Sequence, residues 1–247
     1  MLTLLRLGAF LLFVLLWFLV SLAAGPNLVP DPVRTAAAAV ALAQEGRLAT
    51  ATLQSLSVYL AGYAAAVAVA IPVAMLMGGI PNLGRTLGVY VNALMATPRV
   101  AFIPLVIVFL GLGAEAKIAI VFLGAVIPIL INTYAGILNS DAELIEMARS
   151  TGASRFQIYW RIMLPGAVPF VAVGLRLGAT IGLINTVVAE LYTAVSGLGG
   201  LLAIYGNTFQ MAPYFVVVLV LALIGTTVTK LLRMLELRAQ RWRYDPG

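Results

Sequence analysis

Gly79-Ile80-Pro81-Asn82-Leu83-Gly84-Arg85-Thr86 has the spacing of a phosphate-binding loop, with Arg85 in place of the lysine. That chemistry needs a buried strand before the loop and a helix after it whose amides face the phosphates. Here the segment joins two long apolar stretches and carries a proline inside the cradle, so it reads as a tight turn with one basic residue. No nucleotide site is therefore assigned to this chain. Cys and His are both absent, which removes thiolate and imidazole nucleophiles, redox pairs and the usual metal clusters. Three ionisable residues, Arg99, Arg176 and Glu190, fall in or beside apolar stretches, where an ionised group costs several kcal/mol unless it is paired or faces water. Arg99 and Glu190 are expected to line or gate a path through the protein; Arg176 falls nearer the end of its stretch. Asn92, Asn132 and Asn185 are further candidates, although such amides also bond membrane helices to one another, and packing is the preferred reading for all three.

These residues need a scaffold, and the composition says of what kind. The 247 residues are 62% hydrophobic and 10% charged, against roughly 25% charged in a soluble domain, so the polar surface cannot cover a water-soluble globule. Several apolar stretches reach the roughly 20 residues that a helix needs to cross hydrocarbon. Spans are expected near 4–24, 51–78, 86–112, 116–138, 165–193 and 212–235, forming one all-α membrane domain over 1–247. The run Leu7 to Ala24 can cross unaided and is read as a retained first helix, not a cleaved signal. Between the first two spans, Pro26, Pro30 and Pro32 open a segment whose Ala-rich part, Arg34 to Glu45, is expected to rest as an interfacial helix. Pro98, Pro104 and Pro128 are expected to break hydrogen bonding inside the third and fourth spans.

Orientation follows from the basic residues. With the N-terminus inside, Arg6, Arg85, Arg149, Arg155, Arg161, Lys230, Arg233, Arg238, Arg241 and Arg243 lie on the inner side, against Arg34, Arg47 and Lys117 outside. Both termini are therefore expected in the cytoplasm, and the net charge of +6 is read as this asymmetry and not as a nucleic-acid surface. In the fifth span Gly174, Gly178 and Gly182 form a small-residue ladder for close helix approach. It leaves open whether the neighbour lies in the same chain or in a second copy.

The connection Asn139 to Leu164 is too polar to cross lipid and too patterned for a slack loop. Asp141 can cap a helix, Glu143 and Glu146 suit its positive end, and Gly152 can stop it in the left-handed conformation. Beyond the turn, Phe156, Tyr159, Trp160 and Met163 recur at helical spacing. They mark an amphipathic helix lying against the membrane before Pro165 opens the next span.

Glu146-Met147-Ala148, then Gly152, then Ile162, Leu164 and Pro165 resemble the signature loop of permeases in binding-protein-dependent ABC importers, with Met147 where that pattern has an alanine. The likeness extends over most of the chain. Thr97-Pro98-Arg99-Val100-Ala101, Pro104-Leu105, Gly111-Leu112-Gly113, Pro128, Asn132 to Gly136, Ala189-Glu190 and Gly197-Leu198-Gly199 resemble the taurine, alkanesulfonate and nitrate branch. The resemblance implies a type I importer fold, a bacterial inner-membrane location, and no catalysis or cofactor in this chain, with ATP and Mg held by two cytoplasmic ATPase subunits. It implies a second permease copy as homodimer partner, an extracytoplasmic solute-binding protein docking near Gly25 to Thr50 and Ser196 to Ala212, and surrounding membrane lipid. It assigns ATPase coupling to Glu143, Glu146, Ala148, Gly152, Ala153, Ile162, Leu164 and Pro165. Arg99 leans the substrate towards a small organic or inorganic anion. An ion-gradient transporter using Glu190 is the alternative, although such proteins show paired repeats and more intramembrane carboxylates. A lipid-modifying enzyme lacks candidate catalysts.

Overall fold

The computed structural model describes residues 2–25, 27–193 and 196–239; Pro26, Arg241 and Arg243 lie outside them. Every regular element among the described residues is helical. In chain order these are α1 (Leu2–Ala24), α2 (Pro32–Gln44), α3 (Arg47–Gly79), α4 (Pro81–Ala96), α5 (Ile103–Leu110), α6 (Ala114–Leu138), α7 (Ala142–Ser150), α8 (Arg155–Ile158), α9 (Leu164–Thr193), α10 (Gly197–Asn207) and α11 (Met211–Ala239). Among the described residues, five helical stretches are long and apolar enough to cross a membrane, or six if the bent pair α4 and α5 counts as one.

That pair is where the chain departs from a single helix over 86–112. The residue before a proline is pushed out of the helical region, and Thr97 is accordingly extended at φ −82°, ψ 131°. A 3-10 turn, Arg99–Phe102, follows, and the two helical pieces meet at 86°. Pro104 breaks nothing. It lies in the first turn of α5, where its missing N–H would have had no partner.

Backbone contacts divide the chain into two compact units. One comprises residues of Met1–Leu56 and Glu190–Ile224. In it, Asp31 caps α2 by accepting from the Arg34 N–H at 2.8 Å, and Trp17 of α1 donates to the Pro30 carbonyl at 2.9 Å while stacking on Phe215 of α11. Helix α10 is buried along Gly197, Leu198, Gly199, Gly200, Leu202 and Tyr205. Its four glycines conceal it from a propensity reading, and burial overrides their cost.

The other unit comprises described residues of Ser57–Ala189 and of Gly225–Gly247. Its core packs the small face Ala66, Ala70 and Ala74 of α3, all fully buried, against Ala125, Ile129 and Leu130 of α6. The ladder on α9 faces inward here. A side chain at Gly174 or Gly178 would collide with Asn132 or Ile129 of α6, so the neighbour that needs close approach lies in the same chain. Tyr63 and Tyr59 of α3 donate to the carbonyls of Leu175 and Ala179 on α9 at 2.9 and 3.2 Å. Such interhelical bonds tie helices together where lipid supplies no hydrophobic drive.

Candidate functional site at the helix-turn-helix of residues 141–165

Helix α7 starts where its cap residue dictates: the Asp141 carboxylate accepts from the N–H groups of Glu143 and Leu144 at 2.9 and 3.3 Å. Glu143 lies in the first turn, near the positive end, but Glu146 sits one turn further on, outside the reach of the helix dipole. Both are exposed. At the other end Gly152 adopts φ +84°. Its N–H donates to Arg149 O at 3.0 Å, and the Ala153 N–H reaches back to Ala148 O at 2.9 Å, the paired bonds of a Schellman turn. Ala148, Gly152 and Ala153 are therefore the three positions that close one turn.

A second cap follows at once. The Ser154 hydroxyl accepts from the Gln157 N–H, and the Gln157 side chain accepts from the Ser154 N–H at 2.8 Å, a reciprocal capping box. Helix α8 then passes through a π-helical stretch, Tyr159–Met163, directly into α9. The Leu164 N–H bonds five residues back to Tyr159 O. Pro165 has no N–H and its ring would crowd the carbonyl four residues earlier, so the widened turn accommodates it. Pro165 thus does not begin a separate span: the helix after the turn and the fifth span are one rod over Arg155–Thr193. Ala148, Gly152, Ala153 and Ile162 line one open pocket of about 300 Å³. Leu164 and Pro165 stand half-buried at the π-to-α junction. Two helices are thus joined by a doubly capped corner, and the second runs on into α9.

The membrane candidates find different partners. Pro128 removes the donor that would have bonded Gly124 O, and Arg99 Nη1 donates to that carbonyl at 2.9 Å. Asn185, buried on α9, packs against Gly124 so closely that a side chain there would overlap its amide. Arg99 and Asn185 thus line one very small cavity whose other walls are the apolar side chains of Phe102, Ile103, Val106, Ile120 and Leu123. Arg176 pairs with Glu236 of α11 at 3.1 Å. Asn132 donates to Pro128 O within its own helix at 2.8 Å, and Asn92 is exposed on α4.

Glu190 is only 1% exposed. Ser55 Oγ lies 2.8 Å from both of its carboxyl oxygens, and the Gly199 N–H donates to it at 2.8 Å. Ser55 in turn accepts from the Leu198 N–H, and Gln54 accepts from the Gly197 N–H at 3.1 Å. The carboxyl therefore serves as the cap of α10, a favourable place for negative charge. Gly197, at φ +84°, leaves the room it needs, since a Cβ there would overlap the carboxyl. Ser55 and Gln54 were invisible as partners in the sequence, because Ser55 and Glu190 are 135 residues apart. Residues 79–86 form a helix-to-helix turn from α3 to α4, without the strand a phosphate loop requires. Among the described residues no group of three or more acidic side chains could hold a metal ion.

Comparison with known proteins places this geometry in a lineage. Residues 66–241 match the family described as binding-protein-dependent transport system inner membrane component. A probable ABC transporter permease of Brucella abortus strain 2308 is 33% identical over 92% of this chain and 90% of its own length. A putative aliphatic sulfonates transport permease of Escherichia coli K12 is 39% identical over 64% of this chain and 60% of its own. Among solved structures, a chain of the inward-facing MetNI methionine ABC transporter superposes with a TM-score of 0.66 at 20% identity, covering 76% of this chain and 94% of that one. The chain belongs to the inner-membrane components of binding-protein-dependent transport systems, and its all-helical architecture is that of a type I ABC importer permease.

Proposed function

We propose that two copies of this permease form a translocation path, and that the 141–165 lever seats in a separate cytoplasmic ATPase subunit. Each of two such subunits would bind ATP and Mg; closing together, they would draw the levers inward and turn the path outward, and hydrolysis would reset it. This chain supplies no catalysis. Ala148, Gly152 and Ala153 hold the corner, Glu143 and Glu146 present charge on the exposed face of α7, and Ile162, Leu164 and Pro165 pass the movement into α9. The observation that carries this reading is the corner itself, a Schellman turn backed by a capping box. A stiff corner transmits a push of a few ångströms where a slack loop would absorb it. The capped, buried state of Glu190 further favours an ATP-driven device over an ion-coupled one, since its carboxyl is already engaged.

A solute-binding protein would deliver the cargo on the opposite face of a bacterial inner membrane, with both termini of the permease in the cytoplasm. The cargo would be a small anion, of the sulfonate class suggested by the Escherichia coli relative, with Arg99 near the break between α4 and α5 as the cationic group on its path. Because the chain has no cysteine, single cysteines can be placed at Glu146, Met147 and their neighbours without background. Disulfide or short-linker crosslinks to the companion ATPase are expected. Failure at every position along α7 would refute the seating.

A further inference from the structure

On the side of the α8 rod away from the coupling pocket, the structure holds a larger groove, about 670 Å³ and almost wholly apolar. Leu76 and Ile80, at the end of α3, form one wall, and Phe156 and Trp160 form the other. Tyr159 makes the floor, its hydroxyl donating to Met75 O and its ring edge-on to Trp160. The four wall residues are exposed, Phe156 to 71%, although each is strongly apolar. Arg155 stands at the lip. It makes no ion pair among the described residues, and the lining contains no acidic side chain.

We infer that this groove binds one anionic glycerophospholipid, its acyl chain along Leu76, Ile80 and Phe156 and its phosphate on Arg155. The groove lies at the end of α3 and is lined by Tyr159 and Trp160, residue types that favour the membrane–water boundary. Its volume suits one small amphiphile. A lone unpaired cation above an apolar trough complements a lipid with a charged head, as basic pockets between membrane helices do. The inference needs only the membrane-embedded state of the chain, so it stands or falls apart from the ATPase-coupling proposal.

The test uses the full chain with Trp17→Phe and Trp242→Phe, leaving Trp160 as the sole indole, in vesicles containing brominated phosphatidylglycerol or brominated phosphatidylcholine at equal mole fraction. One basic residue at the surface predicts about a five-fold preference for the anionic lipid, read as stronger quenching of Trp160. Arg155→Gln should remove the preference while Arg155→Lys keeps it, with the size-exclusion profile of both unchanged. Equal quenching by the two lipids overturns the inference, as does a preference that survives Arg155→Gln. Absence of quenching by either lipid, which would mean the groove is covered by protein, overturns it as well.

Discussion

Gly152→Val offers the sharpest test of the lever. Gly152 holds φ +84°, and a Cβ built there meets nothing within 4 Å, so the substitution brings no clash and leaves membrane insertion intact. Its cost is conformational. A left-handed backbone costs an L-residue about 1–2 kcal/mol, and more when the side chain is β-branched. If the chain escapes by relaxing, it surrenders the two bonds from Gly152 and Ala153, worth about 1 kcal/mol each. The relaxation route bounds the penalty near 2 kcal/mol, which lowers the ratio of formed to relaxed corner by about 30-fold. Asn tolerates this conformation better than other residues, so Gly152→Asn should be mild, Gly152→Ala intermediate and Gly152→Val most severe. The assay is ATPase activity stimulated by the binding protein, in vesicles containing permease and companion ATPase. The series should order as Gly, Asn, Ala, Val; two bonds hold the wild-type corner at about 30 to 1, so at Val the formed fraction, and activity with it, falls to about half. If Gly152→Val retains wild-type activity, rigidity of the corner is irrelevant and the reasoning fails.

Two further outcomes follow from the buried polar groups. Glu190→Ala leaves the Gly199 N–H and the Ser55 hydroxyl without their acceptor, at about 1–3 kcal/mol for each buried group. Its melting temperature in detergent should therefore fall well below that of Glu190→Gln, which keeps an acceptor oxygen; equal melting of the two would remove the capping role. Arg99→Met should destabilise the protein less in a Pro128→Ala background, because the alanine N–H can satisfy Gly124 O in place of the guanidinium. A double-mutant cycle should give a coupling of about 1 kcal/mol, and strict additivity would show that the two residues act separately.

Much of this protein was legible without coordinates because its signals are local. Apolar runs long enough to cross hydrocarbon, a cap at Asp141, a stop at Gly152 and a proline at 98 each act within a few residues, and each sets a helix boundary in the structure. The spacing of Ala148, Gly152 and Ala153 is local too, since all three belong to one hydrogen-bonded turn. Where local rules compete, the sequence misleads. Pro104 reads as a breaker but falls in a first turn, and Pro165 reads as a start but is absorbed by a π stretch. Helix α10 is hidden by its glycines, and the Glu190, Ser55 and Gln54 groups, brought from elsewhere in the chain, make its buried N-terminus tenable. Whether an intramembrane charge caps a helix, pairs with another charge or satisfies a carbonyl freed by proline depends on which partner folding places beside it. For Glu190, Arg176 and Arg99 that partner lies between 9 and 135 residues away, and only the tertiary structure decided it.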